Sequence, residues 1–274
     1  MRTQSIILNN KKEAYLEIIL VQHCNLKCRY CVGFHNISKP QIYEFEDLKR
    51  DLEQIKNSQL NLTQVTLSGG EPLLYKKIID VLYYIKALYK NIIIDIVTNG
   101  KLISKMDETF WKALQDTNCN ISYTPYYNSG IDYKNLELLC KKHNIKTINT
   151  ALSDHDNCKY QIKKYMIQQQ LSKNIKLNKY QTKKICQKDC VCLWQGFIYQ
   201  CRIMSNAYIL KEIYNEDFKL DKNDRLSVYD KDLKNKYFKY ILSTPEFCKY
   251  CYNTEYTYHL WSNDKAQRID FIDE

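Results

Sequence analysis

The strongest constraint on this chain's fold is a rhythm that runs as far as Lys188: apolar runs of strand length alternate with segments whose apolar residues recur at helical spacing. Tyr15 to Gln22 (YLEIILVQ) is a mostly apolar run, and Phe45, Leu48, Leu52 and Ile55 then fall on one helical face. Leu62 to Leu67 predicts a second strand, and Leu73 to Tyr89 a long helix with Ile78, Leu82 and Ile85 together. Ile92 to Val97 is a third strand, followed by a helix carrying Met106, Phe110 and Leu114. Asn120 to Thr124 is a fourth, followed by a helix with Tyr133, Leu136 and Cys140. Lys146 to Ala151 is a fifth, followed by a helix with Cys158, Ile162, Tyr165 and Met166. Such alternation predicts an α/β fold with a parallel sheet and helical crossovers, open or curled into a partial barrel. After Lys188 the pattern changes. Cysteines cluster, Trp194 to Ile203 reads as a hairpin around Gly196, and Leu226 to Leu242 returns to a helix. A boundary is expected near residue 178, dividing 1–178 from 179–274.

Composition enters through the cysteines and the charge. At 274 residues the chain can bury a large core without disulfide staples, yet it has 12 Cys. No apolar run approaches a membrane span, and Met1 to Asn10 lacks the layout of a signal peptide. The expectation is a cytoplasmic protein with reduced thiols, in which so many cysteines imply metal. The net charge is +10, and between Lys159 and Lys188 nine lysines occur without one Asp or Glu. That run reads either as a solvated face or as a landing patch for an acidic electron-transfer protein, a phosphorylated substrate or nucleic acid. Sparse aromatics and the lack of a nucleic-acid motif argue against the last.

In a parallel β/α sheet the loops that follow each strand gather on the carboxyl rim, where ligands bind. Here they carry Cys24-Asn-Leu-Lys-Cys28-Arg-Tyr-Cys31, Ser68-Gly69-Gly70-Glu71-Pro72, Thr98-Asn99-Gly100, and Thr124-Pro125-Tyr126-Tyr127-Asn128-Ser129-Gly130, in strand order. Three thiolates within eight residues can ligate one centre. A structural zinc would take a fourth ligand, for which His23 or His35 is available. An iron–sulfur cubane held by three cysteines would keep one iron open for chemistry.

The cysteine triplet with Tyr30 just before its last member, followed by Gly69-Gly70-Glu71-Pro72 after the second strand, resembles the radical S-adenosylmethionine (SAM) enzymes. The resemblance covers about residues 14 to 175. It implies a partial (β/α)6 TIM-like barrel in which Cys24, Cys28 and Cys31 hold a [4Fe–4S] cluster. The fourth iron of that cluster would be chelated by the amino and carboxylate groups of SAM. The glycine loop would hold the methionyl amino group, with no side chain blocking its backbone. Thr98, Asn99 and Ser122 match strand-end positions that face SAM in the family, although capping roles account for them equally; Thr150 is a weaker match.

Cys186-x9-Gly196-x4-Cys201, followed by Cys248-x2-Cys251, is similar to the auxiliary-cluster appendages of these enzymes. The longer SPASM form continues with further cysteines. None follows Cys251, which matches the shorter twitch form, as in the inosamine dehydrogenase type. The resemblance implies a small C-terminal α+β domain in which Cys186, Cys201, Cys248 and Cys251 bind one auxiliary [4Fe–4S] cluster. A four-cysteine zinc ribbon is the alternative. Cys190 or Cys192 could replace Cys186, or could donate a hydrogen atom to a substrate radical. Cys119, Cys140 and Cys158 read as small core residues.

The family chemistry is homolytic cleavage of SAM to a 5′-deoxyadenosyl radical, which abstracts hydrogen from an unactivated C–H bond. A fully ligated second cluster would accept an electron. The short appendage suits a small substrate, which makes a sugar or aminocyclitol oxidoreductase or epimerase the leading expectation. Arg202 and His259 are candidates for the catalytic base. Peptide maturation comes second, because only 23 residues precede Cys24, short for a peptide-binding domain. A non-catalytic electron-transfer or regulatory protein is a third reading, disfavoured by the glycine loop. An acidic flavodoxin or ferredoxin docking at Lys159–Lys188 is the expected reductant.

Overall fold

The computed structural model describes residues 13–126, 128–150, 165–174, 178–180, 186 and 190–273. Its first strand, β1 (Ala14–Val21), is buried at every position. Burial on both faces is the mark of a strand inside a parallel sheet covered by helices. β2 (Leu62–Gly69), β3 (Ile93–Thr98), β4 (Cys119–Tyr123) and β5 (Thr147–Asn149) follow, each parallel to the one before. The helices α1 (Phe45–Asn57), α2 (Ile78–Leu88), α3 (Glu108–Thr117) and α4 (Tyr133–Lys142) connect them. Their buried faces are those the spacing predicts: Leu48, Leu52 and Ile55 on α1, then Ile78, Leu82 and Ile85 on α2. Each large aliphatic side chain buried this way contributes about 1.5–3 kcal/mol. The caps are local: Asp107 accepts from the Phe110 amide at 3.0 Å and Asp132 from that of Asn135 at 2.9 Å.

Among the described residues the main sheet has eight strands, β5 to β1 in that order and three more beyond β1. Five parallel strands therefore run in sequence order, and the other edge is completed by β7 (Cys192–Trp194), β8 (Phe197–Tyr199) and β9 (Arg225–Ser227). β7 lies parallel to β1, and β8 and β9 are antiparallel. The hairpin predicted around Gly196 is present but shorter. Gln195 and Gly196 both have positive φ (44° and 78°), the requirement of a tight primed turn. The Gly196 amide donates to the Tyr43 hydroxyl at 3.0 Å, which ties the turn to the barrel.

The helix predicted from Leu73 begins only at Ile78, Met106 precedes its helix, and two further predicted helices give way wholly or in part to strand. Tyr165 and Met166, expected on a helix, begin the strand β6 (Tyr165–Leu171), which pairs antiparallel with β10 (Cys251–Leu260). The pairing partner lies far along the chain, beyond the reach of a local periodicity. Cys158 and Ile162 lie outside the described residues. The stretch read as helix from Leu226 starts instead as β9, and the helix α7 occupies only Leu233–Leu242. Between β8 and β9 lie α5 (Arg202–Asn206) and α6 (Tyr208–Tyr214). Among the described residues no helix is long and apolar enough to cross a membrane.

Candidate active site

The loop after β1 and the loop after β2 cross at backbone distance. Gly70 N donates to Val21 O at 2.9 Å, and Glu71 N to His23 O at 3.0 Å. A Cβ on Gly70 would lie 2.0 Å from the His23 carbonyl oxygen, and one on Gly69 (φ 146°) 2.4 Å from that of Val21. The glycine pair is thus required first by the packing of one loop on the other.

The three thiols of the first loop share this junction. The Cys24 sulfur accepts from Leu26 N at 3.4 Å and from Asn99 Nδ2 at 3.5 Å, and Cys28 accepts from the Trp261 indole at 3.2 Å. Burial pushes the Cys24 and Cys28 thiols up to about 12, and the neighbouring Cys31 pushes both in the same direction. Burial also raises Cys31, partly offset by the amides of His35, Gly33, Asn36 and Phe34, which point at its sulfur. Largely buried thiols that accept from N–H donors ionise readily once a positive centre arrives. Among the described residues, the one group of three or more Cys, His, Asp or Glu ligand atoms within 4.8 Å of one another is Glu17, Cys190 and Cys192. Cys24, Cys28 and Cys31 are therefore spread wider than the shell of a single zinc ion, with Zn–S of about 2.3 Å, allows. Three thiols lining one cavity are a donor set that suits a multi-iron cluster.

Glu71 is fully buried, and its carboxylate is occupied. It accepts from the Thr98 hydroxyl at 2.7 Å, the Asn99 amide at 2.9 Å and the Leu73 amide at 3.1 Å. Burial pushes its pKa up to about 7. Glu71 thus joins the β2 loop to the β3 loop, while Pro72 opens a short 3-10 turn beside it. Gly69, Gly70, Thr98 and Asn99 line one cavity of about 130 Å³ with the three thiols. Ser122 is buried on β4. Tyr30 is buried with its ring 4.3 Å from that of His259, whose Nε2 has no partner among the described residues. Arg202 reaches the cavity wall and ion-pairs with Glu17. Thr150 shares a 2.9 Å hydroxyl contact with Thr124 at the rim.

The C-terminal cysteines come from separate elements. Cys201 caps α5, accepting from Met204 N at 3.4 Å, Cys248 sits in the 3-10 turn Glu246–Tyr250, and Cys251 opens β10. Cys186, Cys201, Cys248 and Cys251 are all half-buried. Cys119 and Cys140 are core residues, as read. Within the lysine run, Lys173 pairs with Glu216 at 2.8 Å and Lys179 with Glu246; Lys159, Lys163, Lys164, Lys176, Lys183, Lys184 and Lys188 lie outside the described residues.

Three residues not predicted to belong to this site line it or adjoin it. His35, available in the sequence only as a fourth zinc ligand, lines the thiol cavity at 2% exposure, and neither ring nitrogen has a well-placed partner among the described residues. Burial lowers its pKa to about 4, so it is neutral at pH 7. Tyr126 forms a wall shared by the thiol cavity and a groove of about 700 Å³ bounded by Tyr123, Ser129, Tyr133 and Asn149. Its place in a rim loop was the available signal. Glu17, a lone acid in an apolar strand, was a visible anomaly.

This geometry gathers three thiols, a glycine pair and two strand-end polar residues around one cavity at the carboxyl rim of a β/α sheet. Residues 18–149 match the model of the Radical SAM superfamily. A SAM-binding [4Fe–4S] cluster is expected from a domain of that family. Curated relatives include the GTP 3′,8-cyclases of Syntrophomonas wolfei subsp. wolfei (34% identical over 97 residues, 34% of this chain and 29% of the relative) and Thermodesulfovibrio yellowstonii (29% over 108 residues, 38% and 33%). The matched stretch thus spans about a third of those relatives' length. Among solved structures, BtrN in complex with AdoMet and 2-DOIA is similar at TM-score 0.53 and 15% identity, covering 89% of this chain and 94% of BtrN. Native anSMEcpe with bound AdoMet is similar at TM-score 0.50 and 17% identity, covering 84% and 80%. Both likenesses are of fold.

Proposed function

We propose that this chain uses Cys24, Cys28 and Cys31 to hold the SAM-binding cluster and abstracts a hydrogen atom from a substrate lying in the groove beyond Tyr126. When bound, the cluster and SAM supply the radical chemistry. The protein's part is to bind, orient and exclude water. Gly69 and Gly70 bring the β2 backbone up to the thiol loop, and Glu71 holds Thr98 and Asn99 at the wall of the cavity. Half-buried Tyr126 stands between this cavity and the solvent-facing groove.

The favoured substrate is a peptide or protein side chain. The observation behind this reading is the groove itself: it opens to solvent, and its walls include the exposed Asn128, Gly130 and Lys134. A small sugar or aminocyclitol is the second reading, supported by the fold likeness to BtrN, which extends through the C-terminal region. On either reading Cys186, Cys201, Cys248 and Cys251 are proposed to hold an auxiliary cluster that takes up the substrate electron. Anaerobic reconstitution with iron and sulfide, followed by measurement of 5′-deoxyadenosine from SAM, tests the common part; no cleavage with a low-potential reductant overturns it. A synthetic peptide encoded beside the gene should stimulate 5′-deoxyadenosine release and change mass. Stimulation by aminocyclitols alone would select the second reading.

A further inference from the structure

Glu17 is the only acid in an otherwise apolar strand and is 6% exposed. A buried carboxylate is costly unless a counter-charge or a metal answers it. Arg202 answers one oxygen, Oε1. The other, Oε2, lies 4.0 Å from the sulfur of Cys192, which is fully buried. Glu17 and Cys192 are register partners in the parallel pair β1–β7, so their side chains leave the sheet on the same face. Cys190 arrives from the preceding loop, and its sulfur completes the trio of ligand atoms within 4.8 Å of one another.

We propose that Glu17, Cys190 and Cys192 form a site for one thiophilic divalent cation of the zinc class, separate from the thiol cavity at the rim. Two thiolates and a carboxylate are a zinc donor set, and around a tetrahedral ion such donors stand about 3.5–3.8 Å apart. The 4.0 Å separation of Glu17 Oε2 and the Cys192 sulfur needs only a small closure. Three protein donors leave one position for water. The charges also close: two thiolates and a carboxylate balance the guanidinium of Arg202 and a divalent ion. Loading releases the two thiol protons, so retention weakens as the pH falls. The ion would fasten β7 to β1 and, through Glu17, hold Arg202 at the wall of the rim cavity.

The full chain, reconstituted anaerobically with iron and sulfide, is incubated with cadmium in place of zinc and desalted. About one cadmium per chain should remain, with two sulfur neighbours and otherwise oxygen or nitrogen by X-ray absorption. In that wild-type sample Cys190 and Cys192 should be protected from alkylation at least about tenfold. Cys192→Ser and Glu17→Gln should each lower retention about tenfold or more while the iron held by Cys24, Cys28 and Cys31 is unchanged. Failure to retain cadmium, a four-sulfur environment that places the ion at the other C-terminal cysteines, or a Cys190–Cys192 disulfide in the anaerobic protein would each overturn the site. Loss of SAM cleavage with cadmium retained would instead count against the function proposed above, leaving this site standing.

Discussion

The two cysteine groups of this chain are built in opposite ways. Cys24, Cys28 and Cys31 lie within one loop, and its own backbone supplies much of the surroundings: four amides around Cys31 and the Leu26 amide at Cys24. The later group comes from a cap on α5, a 3-10 turn and the start of β10, together with Cys186. A centre held by one loop can be assembled by local folding alone. One held by distant elements exists only after the C-terminal region has packed, and its ligand set depends on which face each element presents.

That contrast can be broken most directly at the first group. Cys28→Ser should remove the SAM-binding cluster and lower 5′-deoxyadenosine formation at least about a hundredfold, with matching loss of iron and sulfide. Activity that survives would mean that the loop is not the radical centre. Gly70→Ala forces a Cβ against the His23 carbonyl. It should cost about 3 kcal/mol or more and lower cluster incorporation, read together by thermal melting and iron content. Cys201→Ser or Cys248→Ser should halve the iron, to about four per chain, without abolishing SAM cleavage in the absence of substrate. Equal damage from both cysteine groups would erase the distinction.

Two smaller effects sharpen it. His35 has a folded pKa near 4, below the ordinary 6.5, because burial disfavours its charged form. Between those values the unfolded chain binds the extra proton, so stability is present above pH 6.5 and is lost as the pH falls toward 4. Urea titrations of the cluster-free protein should show a loss of roughly 2–3 kcal/mol over that window, and His35→Leu should flatten it. Trp261→Phe removes the indole donor that the C-terminal segment extends to Cys28. The cluster's midpoint potential should fall by on the order of 40 mV, the one-electron equivalent of about 1 kcal/mol, because the more negative reduced state loses a donor. An unchanged potential would show that the first centre owes nothing to the later part of the chain.

Much of the barrel was legible before any coordinates. Leu48, Leu52 and Ile55 repeat at helical spacing, and the mostly apolar run of β1 needs cover on both faces. Tyr165 and Met166 were misread because an amphipathic stretch of that length suits a helix or a ribbon strand equally, and β10 decides between them. His35 and Glu17 carried no local signature of their partners. The cavity that exposes one and the strand β7 that faces the other are assembled from residues far apart in the chain.

The residue pattern alone therefore specifies the alternation of strands and helices through β5, the loop with three thiols and the glycine pair. Each of these follows from side-chain periodicity or from the conformational freedom of a residue type, and both are properties of neighbours in the chain. Only the tertiary structure decided that Glu71 binds the β3 loop, that Arg202 pairs with Glu17, and that Cys192 faces β1. Those are pairings between buried polar groups, and desolvation makes such groups seek partners in space wherever the chain has put them.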